Sequence, residues 1–232
     1  MPDNRYFYKG DLSKGTSISL CSAEQKHLLK VMRKKKGDSV TLINGQGILA
    51  TGICEDKGSI FITDTFTEKK KKTFSLFLSL LRPKSIELVI EKATELGVDS
   101  IHLFPAKRSE KKELSLHQIG RLENILISAL KQSGGLFLPK LVCHSSLLSS
   151  LSSAEGAIYF CSLQNGQKQI LKEPYSSSLF IGPEKGWTEE EEVLFISKGA
   201  TPFNLSQYTL RAETAAIAAS SIFSFFLQEE AI

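Results

Sequence analysis

Two short segments in the last quarter of the chain combine residue types and spacing suited to chemistry. The first is Leu179-Phe180-Ile181-Gly182-Pro183-Glu184-Lys185-Gly186-Trp187; the second is Leu205-Ser206-Gln207-Tyr208-Thr209-Leu210-Arg211-Ala212-Glu213-Thr214-Ala215. Each runs from a short apolar stretch through a turn into a helix start. Residues 179–181, bounded by Gly182-Pro183, read as a buried strand. Gly182 has no Cβ, so a ligand can approach the backbone closely there. Thr188 followed by Glu191 is a capping-box pattern that starts a helix directly after the loop. Such a loop sits at the C-terminal end of a strand, where open α/β sheets bind ligands. Alone it is equally an ordinary strand-turn-helix connection. Two such loops side by side can wrap a small molecule with backbone groups.

The surrounding elements must hold those loops. Residues 202–205 form a strand-like run, and a helix is expected over about 213–227. Its first half is small-sided (Ala215, Ala216, Ala218, Ala219, Ser220, Ser221), which allows close packing on the chain's own sheet. Upstream, residues 74–81 are almost wholly apolar, as in a strand buried on both faces. Ile86, Val89, Ile90, Ala93 and Leu96 follow the 3.6-residue period of a helix over 85–96, with Gly97 as its stop. Strands over 101–104 and 157–161 and a helix over 114–132 continue the alternation, which indicates an α/β domain with a mostly parallel sheet. Residues 1–70 differ. Short β-favouring runs at 16–20, 39–43, 48–54 and 59–65, separated by Gly37-Asp38 and Asn44-Gly45 turns, predict a small β-barrel. One helix interrupts it over 22–32, with Ser22 as N-cap and Leu28, Leu29 and Met32 on one side. The charged run 68–72 marks a boundary between domains at 1–70 and 73–232.

The chain has 232 residues, 41% of them hydrophobic, enough for a substantial core. A net charge of +4 is too small to argue for nucleic acid, but its distribution is uneven. Arg33 with Lys34–Lys36, the lysines at 69–72, and Lys107, Arg108, Lys111 and Lys112 form three basic clusters of the kind that meets phosphate backbones. Cys21, Cys54, Cys143 and Cys161 have no C-x-x-C spacing and read as reduced thiols of a cytoplasmic protein. His27, His102, His117 and His144 have no ligand-like pairing, so no metal is expected. Residues 1–12 lack a secretory-signal pattern, and no apolar run approaches the ~20 residues of a membrane helix.

The two late segments, in this order and spacing, resemble the cofactor loops of the SPOUT methyltransferases, whose C-terminal chain is tied in a trefoil knot. The likeness is strongest to the RsmE family, which methylates a uridine base in small-subunit (16S) ribosomal RNA, and it extends over about residues 5–227. The stretch His27-Leu28-Leu29-Lys30-Val31-Met32-Arg33 is its clearest part before residue 70, and implies a PUA-like RNA-binding domain. The resemblance implies an α/β-knot enzyme that uses S-adenosyl-L-methionine to methylate uracil N3 and that works as a homodimer. It implies cofactor contacts from Ile181, Gly182, Pro183, Glu184, Gly186, Leu205, Ser206, Leu210 and Thr214. Arg211 is the candidate for stabilising negative charge on the uracil, with Glu213 as proton acceptor or as the group that holds Arg211. A structural ion pair of Arg211 with Glu184 or Glu213 is the competing role. Arg5, Arg33, Arg82, Lys84 and Arg108 are the candidate RNA contacts. Lys185 and Ser206 stand where the family usually has glycine, and Ser206 would be strained if that position required a positive φ. Lys131 and Gly135 replace an acid and an arginine common in relatives. The alternatives are a knot-fold ribose 2′-O-methyltransferase and a non-catalytic ribosomal RNA-binding or ribosome-assembly protein.

Overall fold

In the computed structural model, residues 5–69, 73–162 and 176–228 are described. The chain divides into two compact units, one of residues up to 70 with Ile127–Leu138, the other of Lys71–Leu126 with the chain from Pro139 onward. The basic residues Lys70–Lys72 lie outside the described residues.

Strict alternation builds the first unit. Along β3 (Ser39–Ile43) and β4 (Ile48–Cys54), Val40, Leu42, Ala50 and Cys54 point inward while Ser39, Thr51 and Ile53 face out. With β1 (Arg5–Phe7), β2 (Ser17–Ser19) and β5 (Ser59–Thr67) they form a sheet of order β1-β3-β4-β5-β2. Only the β1–β3 pair is parallel. The end strands β1 and β2 do not pair with each other, so the expected barrel is a curled half-barrel. Its core gathers Tyr6, Ile18, Leu28, Leu42, Ile60 and Ile62. The interrupting helix departs from expectation. Helix α1 (Ser22–Lys26) has Cys21 as its N-cap, extended at φ −62° and ψ 160°, so Ser22 is already the first helical residue and caps nothing. Residues His27–Val31 then widen into a π-turn, which buries Leu28 but leaves Leu29 42% exposed. The segment Ile127–Leu138, distant in sequence from the rest of the unit, closes it. The Arg5 guanidinium donates to the Gly134 carbonyl, Lys131 pairs with Glu24 at 2.6 Å, and Leu138 N–H donates to Gly45 O.

The second unit carries a six-stranded sheet of β6 (Thr73–Ser79), β7 (Ser100–Phe104), β8 (Lys140–Cys143), β9 (Ala157–Cys161), β10 (Ser176–Ile181) and β11 (Thr201–Phe203). The order is β11-β9-β10-β6-β7-β8, and every pair is parallel. All C-terminal strand ends therefore open on one edge. Alternation along β6 assigns the faces. Phe74 stacks on Phe223 of α6 (Ala212–Gln228), with ring centroids 4.6 Å apart. Phe77 joins Phe104, Phe160, Phe180, Leu147 of α4 (Leu147–Leu151) and Phe195 of α5 (Glu189–Ser197). Helix α2 (Pro83–Glu95) turns Ile86, Val89, Ile90 and Ala93 inward as its period requires and packs with α6. Helix α3 spans Leu116–Ser133. The small side chains of α6 are largely used inside the unit: Ala216, Ala219 and Ser220 are fully buried.

Candidate functional site

Both expected loops emerge on the C-terminal edge, after β10 and after β11. Each strand pairs with β9, one on either side, so the loops stand two strand spacings apart, about 10 Å. Ile181 is the buried end of β10 and Pro183 is buried behind it, while Glu184 and Lys185 are exposed. Gly182 is the point of closest packing: a Cβ there would lie 3.0 Å from Trp187 Cε2 and 3.2 Å from Cδ2. Trp187 is 8% exposed and donates its Nε1–H to Cys161 O at 2.8 Å. The indole thus ties the first loop to the end of β9. Gly186 makes the turn at φ 69°, a value that suits glycine. The capping box follows, with Thr188 N–H donating to Glu191 Oε2 at 2.9 Å and Glu191 N–H to Thr188 Oγ1 at 3.3 Å. Glu191 is 4% exposed and takes a further 2.7 Å bond from Lys107 N–H.

The second loop is organised by its own side chains. Asn204 Oδ1 accepts the Ser206 N–H at 3.0 Å, and Ser206 Oγ accepts the Tyr208 N–H at 3.1 Å. Ser206 is not at positive φ; Arg33, at 53°, is the one non-glycine residue that is, among the described residues. The position therefore demands no glycine, and Lys185 meets no obstacle because it faces solvent. The backbone N–H groups of Leu205, Gln207 and Leu210 have no protein partner among the described residues. Leu205 and Leu210 are half-buried, and Thr214 is exposed on the first turn of α6.

Arg211 is exposed, and its guanidinium forms no hydrogen bond or ion pair among the described residues. The competing ion pair with Glu184 or Glu213 is not formed. Glu184 Oε1 instead accepts the N–H of Arg82 at 3.3 Å, at the start of α2. Glu213 is half-buried in the first turn of α6, where the helix dipole favours an anion. The Cys161 thiol at the end of β9 is pushed up to about 12 by burial, although the residue as a whole keeps some exposure; the enclosed thiol is not a nucleophile at neutral pH.

The basic residues divide by their partners. Arg33 and Lys84 form no side-chain hydrogen bond or ion pair among the described residues, though Lys84 lies near enough to Glu87 to help lower its carboxyl pKa, and Arg82 reaches Glu110 across an exposed 3.6 Å pair. Arg5 is engaged with Gly134 O. Arg108 Nη1 donates to two carbonyls of the first loop, Lys185 O at 3.0 Å and Trp187 O at 2.9 Å. Lys112 donates to Ala106 O and Lys107 O, and Lys107 pairs with Glu190 at 3.4 Å. Much of the third basic cluster is thus committed within its own unit. Two concavities, of about 570 and 250 Å³, lie on the β7 and β8 side of the edge and include neither late loop among their walls. Lys107, Lys112, Ser146, Glu190 and Glu191 of the larger are already bonded to protein, whereas the late loops present donors without a partner among the described residues, so the loops are the better site. No group of three His, Cys, Asp or Glu residues is placed to hold a metal, and no helix is long and apolar enough to cross a membrane, among the described residues. The sequence patterns alone did not single out Trp187 and Asn204 as supports of the loops, and they gave Glu191 its capping role but not its bond from Lys107 N–H, since each of these acts through a contact or bond.

The comparisons agree with this architecture. Residues 68–224 match the family described as RNA methyltransferase domain, and residues 20–64 the family described as RNA methyltransferase PUA domain. The ribosomal RNA small subunit methyltransferase E 2 of Borreliella burgdorferi is 30% identical over 215 residues, covering 88% of each chain. The ribosomal RNA small subunit methyltransferase E of Bacillus subtilis is 27% identical over 247 residues, covering 95% of this chain and 96% of that one. A crystal structure of the Neisseria gonorrhoeae enzyme of the same name, bound to S-adenosyl methionine, superposes with a TM-score of 0.87 at 24% identity, covering 96% of this chain and 97% of that one. The fold is a parallel six-stranded α/β domain preceded by a PUA-like half-barrel, and that solved structure shares it. Sheet order, loop placement and full-length similarity converge: the chain belongs to the RNA methyltransferase family of ribosomal RNA small subunit methyltransferase E.

Proposed function

We propose that the protein transfers the methyl group of S-adenosylmethionine to N3 of a uridine in 16S ribosomal RNA. The observation that carries this reading is the conjunction, on one sheet edge, of backbone donors in the 205–210 loop and a guanidinium at Arg211 that have no partner among the described residues. Unpaired donors beside half-buried leucines fit a ligand with both apolar and hydrogen-bonding parts. Ile181 to Gly186 and Leu205 to Leu210 would hold the cofactor from its two sides, with Thr214 near its polar end. Bound there, S-adenosylmethionine supplies an electrophilic methyl group on a sulfonium.

The rest is work for this chain. Uracil N3 carries a weakly acidic proton, and its loss leaves negative charge on the ring oxygens. Arg211 presents a planar, permanently charged fork to that charge. Glu213, two residues on, is placed to accept the proton. Rigid loops hold the acceptor nitrogen in line with the methyl group. A uridine in structured RNA must be exposed first, so a flipped base or a single-stranded segment is the target. Arg33, Arg82 and Lys84 offer exposed cations to phosphates, with Arg5 contributing what its bond to Gly134 O leaves. The small ribosomal subunit or its RNA is the partner, in the cytoplasm. A homodimer is supported by the outward side of α6, where Phe225 is 58% exposed beside half-buried Ile217 and Ala218. Calorimetric titration with S-adenosylmethionine tests the reading: saturable binding is expected, and no binding at millimolar cofactor would make the protein an RNA-binding or assembly factor instead.

A further inference from the structure

Arg108 comes from the segment after β7, yet its guanidinium closes the loop after β10. One nitrogen, Nη1, donates to the carbonyls on both sides of Gly186: Lys185 O at 3.0 Å and Trp187 O at 2.9 Å. Those carbonyls flank the turn that stands at φ 69° and lead into the indole packed against Gly182. The segment bearing Arg108 is itself tied down. Lys112 Nζ donates to Ala106 O at 2.8 Å and Lys107 O at 2.9 Å, Ser109 Oγ accepts the Ala106 N–H at 3.2 Å, and Lys107 N–H reaches buried Glu191 at 2.7 Å. On the other flank, Glu184 accepts the Arg82 N–H at 3.3 Å. The loop after β10 is therefore laced to the segments after β6 and β7, and Arg108 is its only charged side-chain donor to backbone carbonyls among the described residues.

We propose that Arg108 is a positioning residue: it holds the 183–187 turn in its ligand-ready shape, and acts on methyl transfer through that loop rather than by gripping RNA. This rests on the reading of 182–187 as the cofactor loop. A bond from a charged donor to a carbonyl is stronger than a neutral one, and two of them on a five-residue turn (183–187) remove most of its freedom. Without them the turn must be ordered at the cost of binding. Arg108 Nε and Nη2 have no protein partner among the described residues, so the alternative of a phosphate contact is physically open and must be tested directly.

The test compares full-length wild type, R108A, R108Q and R108K. Cofactor binding is read by calorimetry and by the emission of Trp187, the chain's single tryptophan. RNA binding is read separately on a 16S ribosomal RNA fragment without cofactor. R108A and R108Q are expected to weaken S-adenosylmethionine binding roughly 10- to 100-fold and to red-shift Trp187 emission, with RNA affinity within about twofold of wild type. R108K should recover part of the loss, because an ammonium carries charge but not the fixed fork. Methylation should show a raised KM for the cofactor and a nearly unchanged kcat. Unchanged cofactor binding with weakened RNA binding overturns the proposal in favour of a direct RNA contact. Loss of both bindings with a lowered melting temperature in all three variants overturns it in favour of a general folding role. If wild type itself fails to bind S-adenosylmethionine, the reading of the site has failed, and the proposal with it.

Discussion

Gly182 lies against Trp187 so closely that a Cβ at that position would sit 3.0 Å from the indole Cε2. The glycine therefore admits a neighbour from within the protein. Gly182→Ala should displace the indole by a few tenths of an ångström and weaken its bond to Cys161 O. Gly182→Val should cost about 1–3 kcal/mol through overpacking. Both should red-shift Trp187 emission and reduce S-adenosylmethionine affinity in proportion. Emission and affinity that stay at wild-type values in Gly182→Val would show that the packing tolerates the added bulk.

The Arg211 guanidinium has no partner among the described residues, so its removal should leave the fold alone. Arg211→Ala should lose about 2–4 kcal/mol of transition-state stabilisation, roughly 10²–10³ in rate, with melting temperature and cofactor affinity unchanged. Arg211→Lys should rescue only in part. A sharp drop in stability together with loss of cofactor binding would assign Arg211 to the fold.

Glu191 is a buried carboxylate that satisfies two backbone donors from different segments, Thr188 N–H and Lys107 N–H. Glu191→Ala leaves both without a protein acceptor and should destabilise by about 1–3 kcal/mol in chemical denaturation, whereas Glu191→Gln keeps one acceptor and should cost less. Equal effects from the two would mean that the carboxylate's hydrogen bonds are not what matters.

Acid should find a weak point on the same sheet. His102 Nδ1 lies 2.9 Å from His144 Nε2, and its ring stacks on Phe77 with centroids 4.1 Å apart. Burial, with a smaller contribution from His144, pushes His102 down from 6.5 to about 4. Between those values the unfolded chain binds more protons than the folded one. Stability from this residue is therefore complete above pH 6.5 and is lost as pH falls towards 4, by about 1–3 kcal/mol. His102→Gln should flatten that part of the stability profile; an unchanged slope would place the titration elsewhere.

Local patterns carried the sequence reading well where one element decides its own structure. The Thr188/Glu191 capping box forms as spaced, and the apolar period of α2 points inward. Helix α2 nonetheless starts at Pro83, two residues before the expected start, because proline suits the first helical position. The short strand β8 owes its place to pairing with β7, and a four-residue run shows little of that in sequence, whereas β11 overlaps the expected run over 202–205 but starts one residue earlier and ends two earlier. The link of Ile127–Leu138 to the first unit rests on bonds to residues some ninety or more positions away, Gly45 and Arg5 among them. At the site, glycine-rich turns were legible as loops. The roles of Trp187 and Arg108 were not, since each acts on a partner contributed by another strand connection.

Base methylation is tested by following the label into the RNA product. Small-subunit RNA or subunits lacking the modification would be incubated with the purified protein and isotope-labelled S-adenosylmethionine, then digested to nucleosides for mass spectrometry. The label is expected as 3-methyluridine from a single position in 16S ribosomal RNA, and Arg211→Ala should abolish most of it. Label on a ribose 2′-oxygen, or no transfer by a protein that binds both cofactor and RNA, would contradict base methylation.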